Sequence, residues 1–317
     1  MNRRTAIKTG VGAGASLLML DSRLSFAQSR GAMIRKKIPS SGEEIPVIGL
    51  GSSQTFNLAP RDAEYTTAQQ VIKTFHELGG KVIDTSPTYQ RSEIFIGETV
   101  KQFELQSSLF LATKLNVQSG GRDAATQQME GSSRTLGKRT IDLMQVWNLG
   151  DSIRSLTDQF LNEHIEAAAA WKAAGRARYI GITTSRDPQY GDFEAAMRKH
   201  KLDFVQLDYS IDDRIPEQRL LPLARERGMA VIVNRPFSAG GIFRRVAGKP
   251  VPSFAAEFDC TSWAQFLLKF VVSHPAVTCT IPATGDVGHL RDNMGACFGR
   301  LPDEAMRRRM VQAFEAV

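Results

Sequence analysis

Short apolar runs alternate with longer amphipathic stretches along the chain from Val47 onward. The short runs are rich in Val, Ile and Leu, as buried strands are, whereas the longer stretches repeat apolar residues at helical spacing. Strands and helices alternate in this way when helical crossovers join parallel strands. The pattern predicts eight strands, over residues 47–50, 81–84, 109–113, 141–147, 179–183, 204–208, 230–234 and 277–281.

A helix is predicted after each strand. Eight such units predict an α/β fold, a single-domain (β/α)8 TIM barrel, which typically uses about 250 residues. Apolar runs at 34–38 and 45–48 flank a Ser-Ser-Gly-Glu turn and predict an N-terminal β-hairpin on the barrel floor, and 302–316 predicts an extra C-terminal helix. The barrel helices are predicted over residues 61–78, 92–103, 123–136, 156–174, 188–200, 216–227, 261–273 and 287–298.

The first 27 residues form a pattern of their own. Arg3 and Arg4 precede an apolar stretch over 11–20, and small residues lead to a predicted cleavage site after Ala27. This is the arrangement of a signal peptide, and the paired arginines resemble a twin-arginine export signal. The apolar stretch is too short to span a hydrocarbon core of about 30 Å. We expect the export machinery to deliver a mature domain, 28–317, to the periplasm.

The composition, 42% hydrophobic and 23% charged, is typical of a globular protein with a sizeable core. Residues 1–27 hold four cations and one anion, so the net charge of +7 falls to +4 without them. A mild positive excess attracts anionic ligands, but the charges are scattered and do not predict nucleic-acid binding. The three cysteines lack metal-ligand spacing and predict no disulfide framework: they are Cys260, Cys279 and Cys297.

Polar residues stand where the predicted strands end. In a (β/α)8 barrel the C-terminal strand ends and the loops after them form the functional site, and unpaired buried charge is costly. These positions therefore predict a functional site at one end of the barrel. They are Asp84, Lys114, Trp147, Thr183, Thr184, Gln206, Asp208, Asn234 and Arg235.

One of these segments carries a family resemblance. Residues 84–93, Asp-Thr-Ser-Pro-Thr-Tyr-Gln-Arg-Ser-Glu, resemble the Asp-Thr-(Ala/Ser)-x-x-Tyr-x-x-Ser-Glu signature of aldo-keto reductases. Three further segments resemble the family in the same order: 109–114, 136–143 and 175–183. The similarity covers essentially the whole mature chain. It implies a barrel that binds a nicotinamide dinucleotide and reduces aldehydes or ketones.

The resemblance also implies catalytic roles. In the family, a hydride passes from the nicotinamide to a carbonyl carbon while a tyrosine gives a proton to the carbonyl oxygen. A phenol ionises near pH 10 and is a poor acid–base group at neutral pH unless a cation stabilises its ionised form. The matching residues are Tyr89 as general acid, Lys114 as the cation beside it and Asp84 as the anion that orients Lys114.

The family's fourth catalytic residue is a histidine, and Trp147 occupies its place here. An indole N–H donates one hydrogen bond and does not titrate. Trp147 therefore either orients a substrate oxygen in a reshaped pocket or blocks the carbonyl position. In the second case the chain is a nucleotide-binding barrel with impaired catalysis, a redox sensor or an interaction protein. His164, on the next predicted helix, is expected to be a surface or packing residue.

The cofactor residues implied by the resemblance fall into three groups. Thr183, Thr184 and Gln206 would hold the nicotinamide carboxamide, and Asn234 stands where many members stack an aromatic ring. The remaining residues would lie in the loop over the pyrophosphate and in the adenosine-phosphate segment: they are Pro236, Ser238 and Gly240, and Thr284, Gly285, His289 and Asn293.

The choice between the two nicotinamide cofactors is open at this point. Ala283 stands where many NADP-dependent members have lysine, and His289 stands where many have arginine. Arg291 is a remaining cation that could reach a 2′-phosphate. We expect NADPH or NADH, with NADPH slightly favoured, and no metal, because a metal-dependent hydrolase needs a His/Asp/Glu ligand cluster that the chain lacks.

Overall fold

The computed structural model describes residues 31–117, 120–147, 158–185 and 187–317. The predicted export signal, residues 1–27, lies outside the described residues. No helix in the described part of the chain is long and apolar enough to cross a membrane.

A small antiparallel hairpin precedes the main sheet. Its strands are β1 (Arg35–Lys37) and β2 (Glu44–Pro46), and Lys36 pairs with Ile45 in the register between them. The predicted hairpin is therefore present. Its apolar residues Ile38 and Ile45 are fully buried and belong to the same cluster as the residues that fill the barrel interior.

Eight parallel strands follow, and each pairs with the next one along the chain. The first and last strands also meet, because the Gly49 N–H donates to the Thr280 carbonyl at 2.8 Å and the Thr280 N–H donates to the Val47 carbonyl at 2.9 Å. The predicted (β/α)8 barrel is confirmed. The strands are β3 (Leu50–Gly51), β4 (Val82–Asp84), β5 (Phe110–Leu115), β6 (Ile141–Val146), β7 (Ala177–Thr183), β8 (Phe204–Asp208), β9 (Ala230–Asn234) and β10 (Val277–Thr280).

Helices surround this sheet. One apolar layer fills the cylinder, and a second lies between the strands and the helices. The described helices are α1 (Tyr65–Glu77), α2 (Ser92–Gln102), α3 (Gly121–Thr135), α4 (Asp158–Ala173), α5 (Tyr190–Lys199), α6 (Leu220–Glu226), α7 (Gly241–Val246), α8 (Trp263–Ser273), α9 (Val287–Gly295) and the predicted extra helix α10 (Glu304–Glu315).

Several helix starts have a side-chain cap. Ser262 accepts a hydrogen bond from the Gln265 N–H before α8, and Asp286 and Asp303 cap α9 and α10 in the same way. Such caps satisfy backbone donors that the first helical turn leaves without partners. Elsewhere the packing is close: a Cβ at Gly97 of α2 would lie 1.9 Å from the Thr135 carbonyl oxygen of α3, so only glycine fits.

The structure corrects three predictions. The predicted helix over 216–227 is interrupted: a 3-10 turn, Ile215–Glu217, precedes α6, because Arg219 (φ −139°, ψ −52°) is not helical. The first barrel strand is Leu50–Gly51 rather than 47–50. Finally, 236–241 is not simply a loop, because a 3-10 turn, Ser238–Gly240, leads directly into α7, which the apolar pattern did not predict.

Candidate functional site

A cavity of about 560 Å³ opens at the C-terminal ends of the barrel strands. This volume lies within the range of small-molecule sites. Each of the eight strands, or the residue just after it, contributes to the wall: the contributing residues are Gly51, Asp84, Lys114, Trp147, Thr183, Gln206, Asn234 and Ile281.

A buried ion pair lies in this wall. Lys114 on β5 and Asp84 on β4 are 2% and 3% exposed, and the Lys114 ammonium donates to the Asp84 carboxylate. The same ammonium donates to the Thr85 carbonyl at 2.9 Å, while the Gln145 side chain donates to Asp84 Oδ1 at 3.1 Å. Both charges are therefore compensated, and the carboxylate is held on both oxygens.

Tyr89 lies beside this pair. The centroid of its ring is 5.0 Å from Lys114 Nζ, and the half-buried side chain lines the cavity. A turn after β4 places it there: the Tyr89 N–H donates to the Ser86 carbonyl at 3.1 Å, and the Ser92 N–H donates to the Tyr89 carbonyl at 3.0 Å. The three residues predicted to act together, Asp84, Tyr89 and Lys114, thus converge in the structure.

The charge on Lys114 is maintained by its neighbours. Burial is the largest single influence and acts to lower the pKa of Lys114, but the charges of Asp84 and of ionised Tyr89 together outweigh it, so the pKa lies above its ordinary value. The ammonium therefore stays protonated at neutral pH.

Trp147 also lines the cavity. Its backbone N–H donates to the Leu115 carbonyl at 2.9 Å, which fixes its position directly after β6, and its side chain is half-buried. His164, in contrast, is 2% exposed on α4 and does not contribute to the cavity wall. Burial lowers the pKa of His164. His164 is therefore a packing residue and does not replace the histidine that Trp147 displaces.

Polar groups from β7 and β8 form another part of the wall. Thr183, Thr184 and Gln206 are at most 3% exposed. The Thr184 hydroxyl donates to Gln189 Oε1 at 2.6 Å, so a side chain from the 3-10 turn after β7 fixes the position of this hydroxyl. Gln206 Nε2 is buried with no hydrogen-bond partner among the described residues, so this wall contains an unsatisfied amide donor.

A network of polar side chains joins the ends of β8 and β9. Asn234 Nδ2 donates to Asp208 Oδ1, and Arg235 Nη1 donates to Asp208 Oδ2 at 3.1 Å and to the Ser185 carbonyl at 3.3 Å. Asn234 Oδ1 is buried and has no hydrogen-bond partner among the described residues. The position where many family members stack an aromatic ring is therefore polar here.

The residues predicted for the phosphates are placed differently from one another. Pro236 and Gly240 line the cavity, whereas Ser238 does not and donates to Asp212 Oδ1 at 2.6 Å. The segment of Thr284, Gly285, His289 and Asn293 does not line the wall, although Ala283 just before it does. A Cβ at Gly285 would lie 3.7 Å from Thr55, a lining residue, so the segment borders the cavity.

His289 and Asn293 have surroundings of different kinds. The His289 side chain is 81% exposed, while its backbone N–H donates to Asp286 Oδ1 at 2.7 Å at the start of α9. Asn293 is 4% exposed and lies in the buried face of α9. The carboxylate of Asp286 therefore already occupies a backbone donor that an anion would need at this helix start.

Gln145, Phe237 and Phe243 lie at or behind this wall and were not among the predicted site residues. Gln145 contacts Asp84, and the ring centroids of Phe237 and Phe243, which both line the cavity, lie 4.8 Å apart. A polar residue inside the apolar run of β6 was a signal for Gln145. The two phenylalanines follow β9 without a periodic pattern, so no comparable signal marked them.

The described residues contain no set of metal ligands. Among residues 31–117, 120–147, 158–185 and 187–317, no group of three or more His, Cys, Asp or Glu side chains could hold a metal ion. The three cysteines are buried and free, and burial raises the pKa of each thiol.

Known structures share this architecture. An aldo/keto reductase from Klebsiella pneumoniae solved with NADP and acetate is 22% identical, with a TM-score of 0.71, and the match covers 86% of this chain and 93% of that one. A structure described as an aldo-keto reductase from Klebsiella pneumoniae with NADPH is 23% identical, with a TM-score of 0.72, over 89% of this chain and 96% of that one. At identities this low, these structural matches establish the fold alone.

Sequence relatives agree. An uncharacterized oxidoreductase of Schizosaccharomyces pombe is 25% identical over 260 residues, 78% of this chain and 79% of that protein. An aldo-keto reductase of Strobilurus tenacellus is 23% identical over 293 residues, 80% of this chain and 82% of that protein. The sequence model of the Aldo/keto reductase family matches residues 47–310. The chain therefore belongs to the aldo/keto reductase family.

Proposed function

We propose that the protein is an oxidoreductase that uses NADPH or NADH to reduce aldehydes or ketones. The observation that carries the proposal is the buried pair of Lys114 and Asp84 beside Tyr89, in the wall of a ligand-sized cavity. A structural ion pair alone would not account for a half-buried phenol next to it at the strand ends. Perturbed, paired charges in a cleft are typical of catalytic sites.

The wall also fits a nicotinamide ring. A carboxamide has one oxygen acceptor and two N–H donors. The buried wall atoms without partners among the described residues include a donor, Gln206 Nε2, an acceptor, Asn234 Oδ1, and the Ser52 hydroxyl, which can act as either. Thr183 and Thr184 supply hydroxyl groups nearby. The two Klebsiella pneumoniae structures were solved with NADP and NADPH, which supports a nicotinamide cofactor here and favours NADPH.

In this proposal the bound cofactor supplies the hydride, and the protein supplies the proton and its control. Tyr89 gives its phenolic proton to the carbonyl oxygen, and the negative charge that remains on Tyr89 is stabilised by the ammonium of Lys114. Asp84, held by Gln145, keeps that ammonium in place. Trp147 donates its indole N–H to the substrate oxygen, in place of the family histidine.

The test compares the full chain with a Tyr89→Phe variant. We expect the wild type to oxidise NADPH with reactive aldehydes or quinones and the variant to lose about 10²- to 10⁴-fold in turnover while binding NADPH as tightly, measured by nucleotide fluorescence. Tyr65→Phe is the control, because Tyr65 bonds to Glu98 outside the cavity. If the wild type binds NADPH but turns over none of a broad carbonyl panel, the enzyme proposal is wrong.

Trp147 supports a second candidate, a nucleotide-binding barrel with impaired catalysis that acts as a redox sensor or interaction protein. Its ring is larger than imidazole and faces the cavity, where it could fill the carbonyl position. A Trp147→His variant separates the candidates. An inert wild type with an active variant supports the disabled site, whereas an active wild type that loses about 10²- to 10³-fold on substitution gives Trp147 a role of its own.

We propose further that residues 1–27 direct export to the periplasm before cleavage. The paired basic residues and the short apolar stretch support this. In a bacterial host, the periplasmic protein should begin at Gln28 on N-terminal sequencing, and a double Arg3→Lys, Arg4→Lys variant should remain uncleaved in the cytoplasm. Arg23→Lys is the matched control. An unprocessed wild-type chain in the cytoplasm would rule out the proposal.

A further inference from the structure

Arg235 is a charged wall residue that the proposed chemistry does not use. Among the described residues, three charged side chains line the cavity: Asp84, Lys114 and Arg235. Asp84 and Lys114 neutralise each other and are buried. The Arg235 side chain is 52% exposed. Among the described wall residues it therefore carries the positive charge that a ligand can reach, and its partner Asp208 does not line the cavity.

The backbone directs Arg235 toward this wall. Successive side chains of a strand point to opposite faces, yet Asn234 and Arg235 both bond to the same carboxylate, that of Asp208. The reason is a kink after β9: Arg235 has φ +47°, in the left-handed region that residues other than glycine adopt infrequently. The chain thus holds a long cationic side chain in an uncommon conformation beside the cavity.

The guanidinium is fixed on one side only. Its Nη1 donates to Asp208 Oδ2 and to the Ser185 carbonyl, and the Asp208 side chain is 12% exposed. Nε and Nη2 have no hydrogen-bond partner among the described residues. A guanidinium anchored in this way still offers donors of the planar fork that recognises carboxylate and phosphate groups.

A second feature of the same wall also indicates a ligand. Gln206, which is 2% exposed, lines the same cavity as Arg235, and its buried amide nitrogen has no hydrogen-bond partner among the described residues. Native structures rarely leave such a donor unpaired unless water or a ligand satisfies it.

We infer that Arg235 is the anion-binding residue of this cavity and that it holds a phosphate or carboxylate group of the ligand, with Asp208 as its positioning residue. The anion comes either from the phosphates of the dinucleotide or from an acidic carbonyl substrate. The inference rests on the proposed function only in that ligands of this kind enter the cavity.

The test measures dissociation constants of the full chain for four probes. Reduced nicotinamide riboside lacks the phosphates and the adenosine of NADPH, and benzamide lacks the charge of benzoate. The variants are Arg235→Gln, which removes the cation, and Arg235→Lys, which keeps the charge without the fork. The matched control is Arg244→Gln on α7, which removes an exposed cation outside the cavity wall. Circular dichroism and thermal unfolding verify that each variant is folded.

We expect Arg235→Gln to raise the dissociation constant of one charged probe by about 10- to 100-fold and to leave that of its uncharged counterpart unchanged. The dissociation constant of Arg235→Lys should lie between those of wild type and Arg235→Gln. An effect on NADPH assigns the anion to the dinucleotide, and an effect on benzoate assigns it to the substrate. The inference would be overturned if Arg235→Gln bound both charged probes as tightly as wild type does. It would also be overturned if Arg244→Gln lost as much affinity for a charged probe as Arg235→Gln. A wild type that binds no NADPH would instead contradict the proposed function, and the benzoate pair still tests Arg235.

Discussion

At the residue scale, the pair of Lys114 and Asp84 combines stability with chemistry. Each side chain is almost completely buried, and each would be strongly unfavourable there without the other, because an isolated charge loses its hydration in the protein interior. Gln145 adds a hydrogen bond to the second carboxylate oxygen. The barrel therefore contains a fixed ammonium whose position does not depend on a ligand.

The pair makes a stability prediction. Lys114→Met should lower the free energy of unfolding by about 3–5 kcal/mol, because it leaves the Asp84 charge buried and uncompensated. The double variant Lys114→Met with Asp84→Leu should regain most of that loss. Urea denaturation measures both, and Lys101→Met, at an exposed position of α2, is the control. A double variant no more stable than Lys114→Met would show that the buried charge is not the cause.

At the scale of elements, the end of α8 depends on a lysine from the hairpin. Lys36 on β1 donates to the carbonyls of Val272, His274 and Val277 at 2.7, 3.0 and 2.6 Å. The last carbonyls of a helix lack intrahelical partners, and a cation suits the negative end of the helix dipole. Burial, and secondarily the charge of Arg307, lowers the pKa of Lys36 to about 8.

Removal of this ammonium should therefore destabilise the contact between the hairpin and α8. We expect Lys36→Met to lower the free energy of unfolding by about 1–3 kcal/mol, because three carbonyl acceptors lose a charged donor. Its neighbour Lys37 is exposed on the same strand, so Lys37→Met should change stability by less than about 0.5 kcal/mol. Equal effects in chemical denaturation would show that the hydrogen bonds of Lys36 contribute little.

His274, the residue directly after α8, should make the stability of the fold depend on pH. Burial, followed by the charges of Arg307 and Lys36 against that of Glu217, lowers the pKa of His274 to about 4. An unfolded histidine binds a proton near pH 6.5, so the unfolded state gains protons first as the pH falls. The contribution of His274 is complete above pH 6.5 and is lost progressively between pH 6.5 and 4.

A His274→Asn variant tests this effect. Asparagine offers an acceptor to the Ala276 N–H, which bonds to His274 Nδ1 at 3.2 Å, but it does not take up a proton. Thermal unfolding of the variant should depend less on pH between 6.5 and 4 than that of the wild type. His289→Asn, at an exposed position, should retain the wild-type dependence. Parallel pH profiles for wild type and His274→Asn would contradict the prediction.

At the scale of the whole molecule, the two ends of the barrel have different roles. The hairpin closes the floor with Ile38 and Ile45, and Arg178 links it to the barrel by bonding to both Glu43 and Asp142. The polar residues stand at the opposite end, around the cavity. The residues that stabilise the floor are thus separate from those that form the cavity, as is typical of (β/α)8 barrels.

This separation predicts independent effects of substitution. Ile45→Ala should lower the free energy of unfolding by about 2–5 kcal/mol, because it opens a cavity in the interior cluster. The dissociation constant of the folded variant for NADPH should stay within about twofold of wild type. The control, Ile215→Ala at a position 45% exposed, should lower the free energy of unfolding much less. An NADPH affinity that falls together with stability would show that floor and cavity are coupled.

Much of this architecture follows from local sequence. The apolar runs identified the eight barrel strands, and the resemblance of 84–93 identified Asp84 and Tyr89, because strand periodicity and a short motif are local properties. The break before α6 and the presence of α7 were not predictable in this way. Arg219 leaves the helical conformation, and α7 is a short helix whose burial of Ile242 and Val246 depends on the surrounding fold.

The sequence by itself predicted that the strands are parallel neighbours and that Asp84, Lys114, Trp147, Thr183 and Gln206 lie at or near their C-terminal ends. Strand ends of consecutive βα units share one edge of the sheet. Only the tertiary structure decided how these groups meet. Closure of the cylinder brings the strand ends around one cavity, and the left-handed kink at Arg235 turns a cation onto Asp208. Such contacts join residues far apart in the chain, and backbone geometry that no local pattern encodes sets their distances.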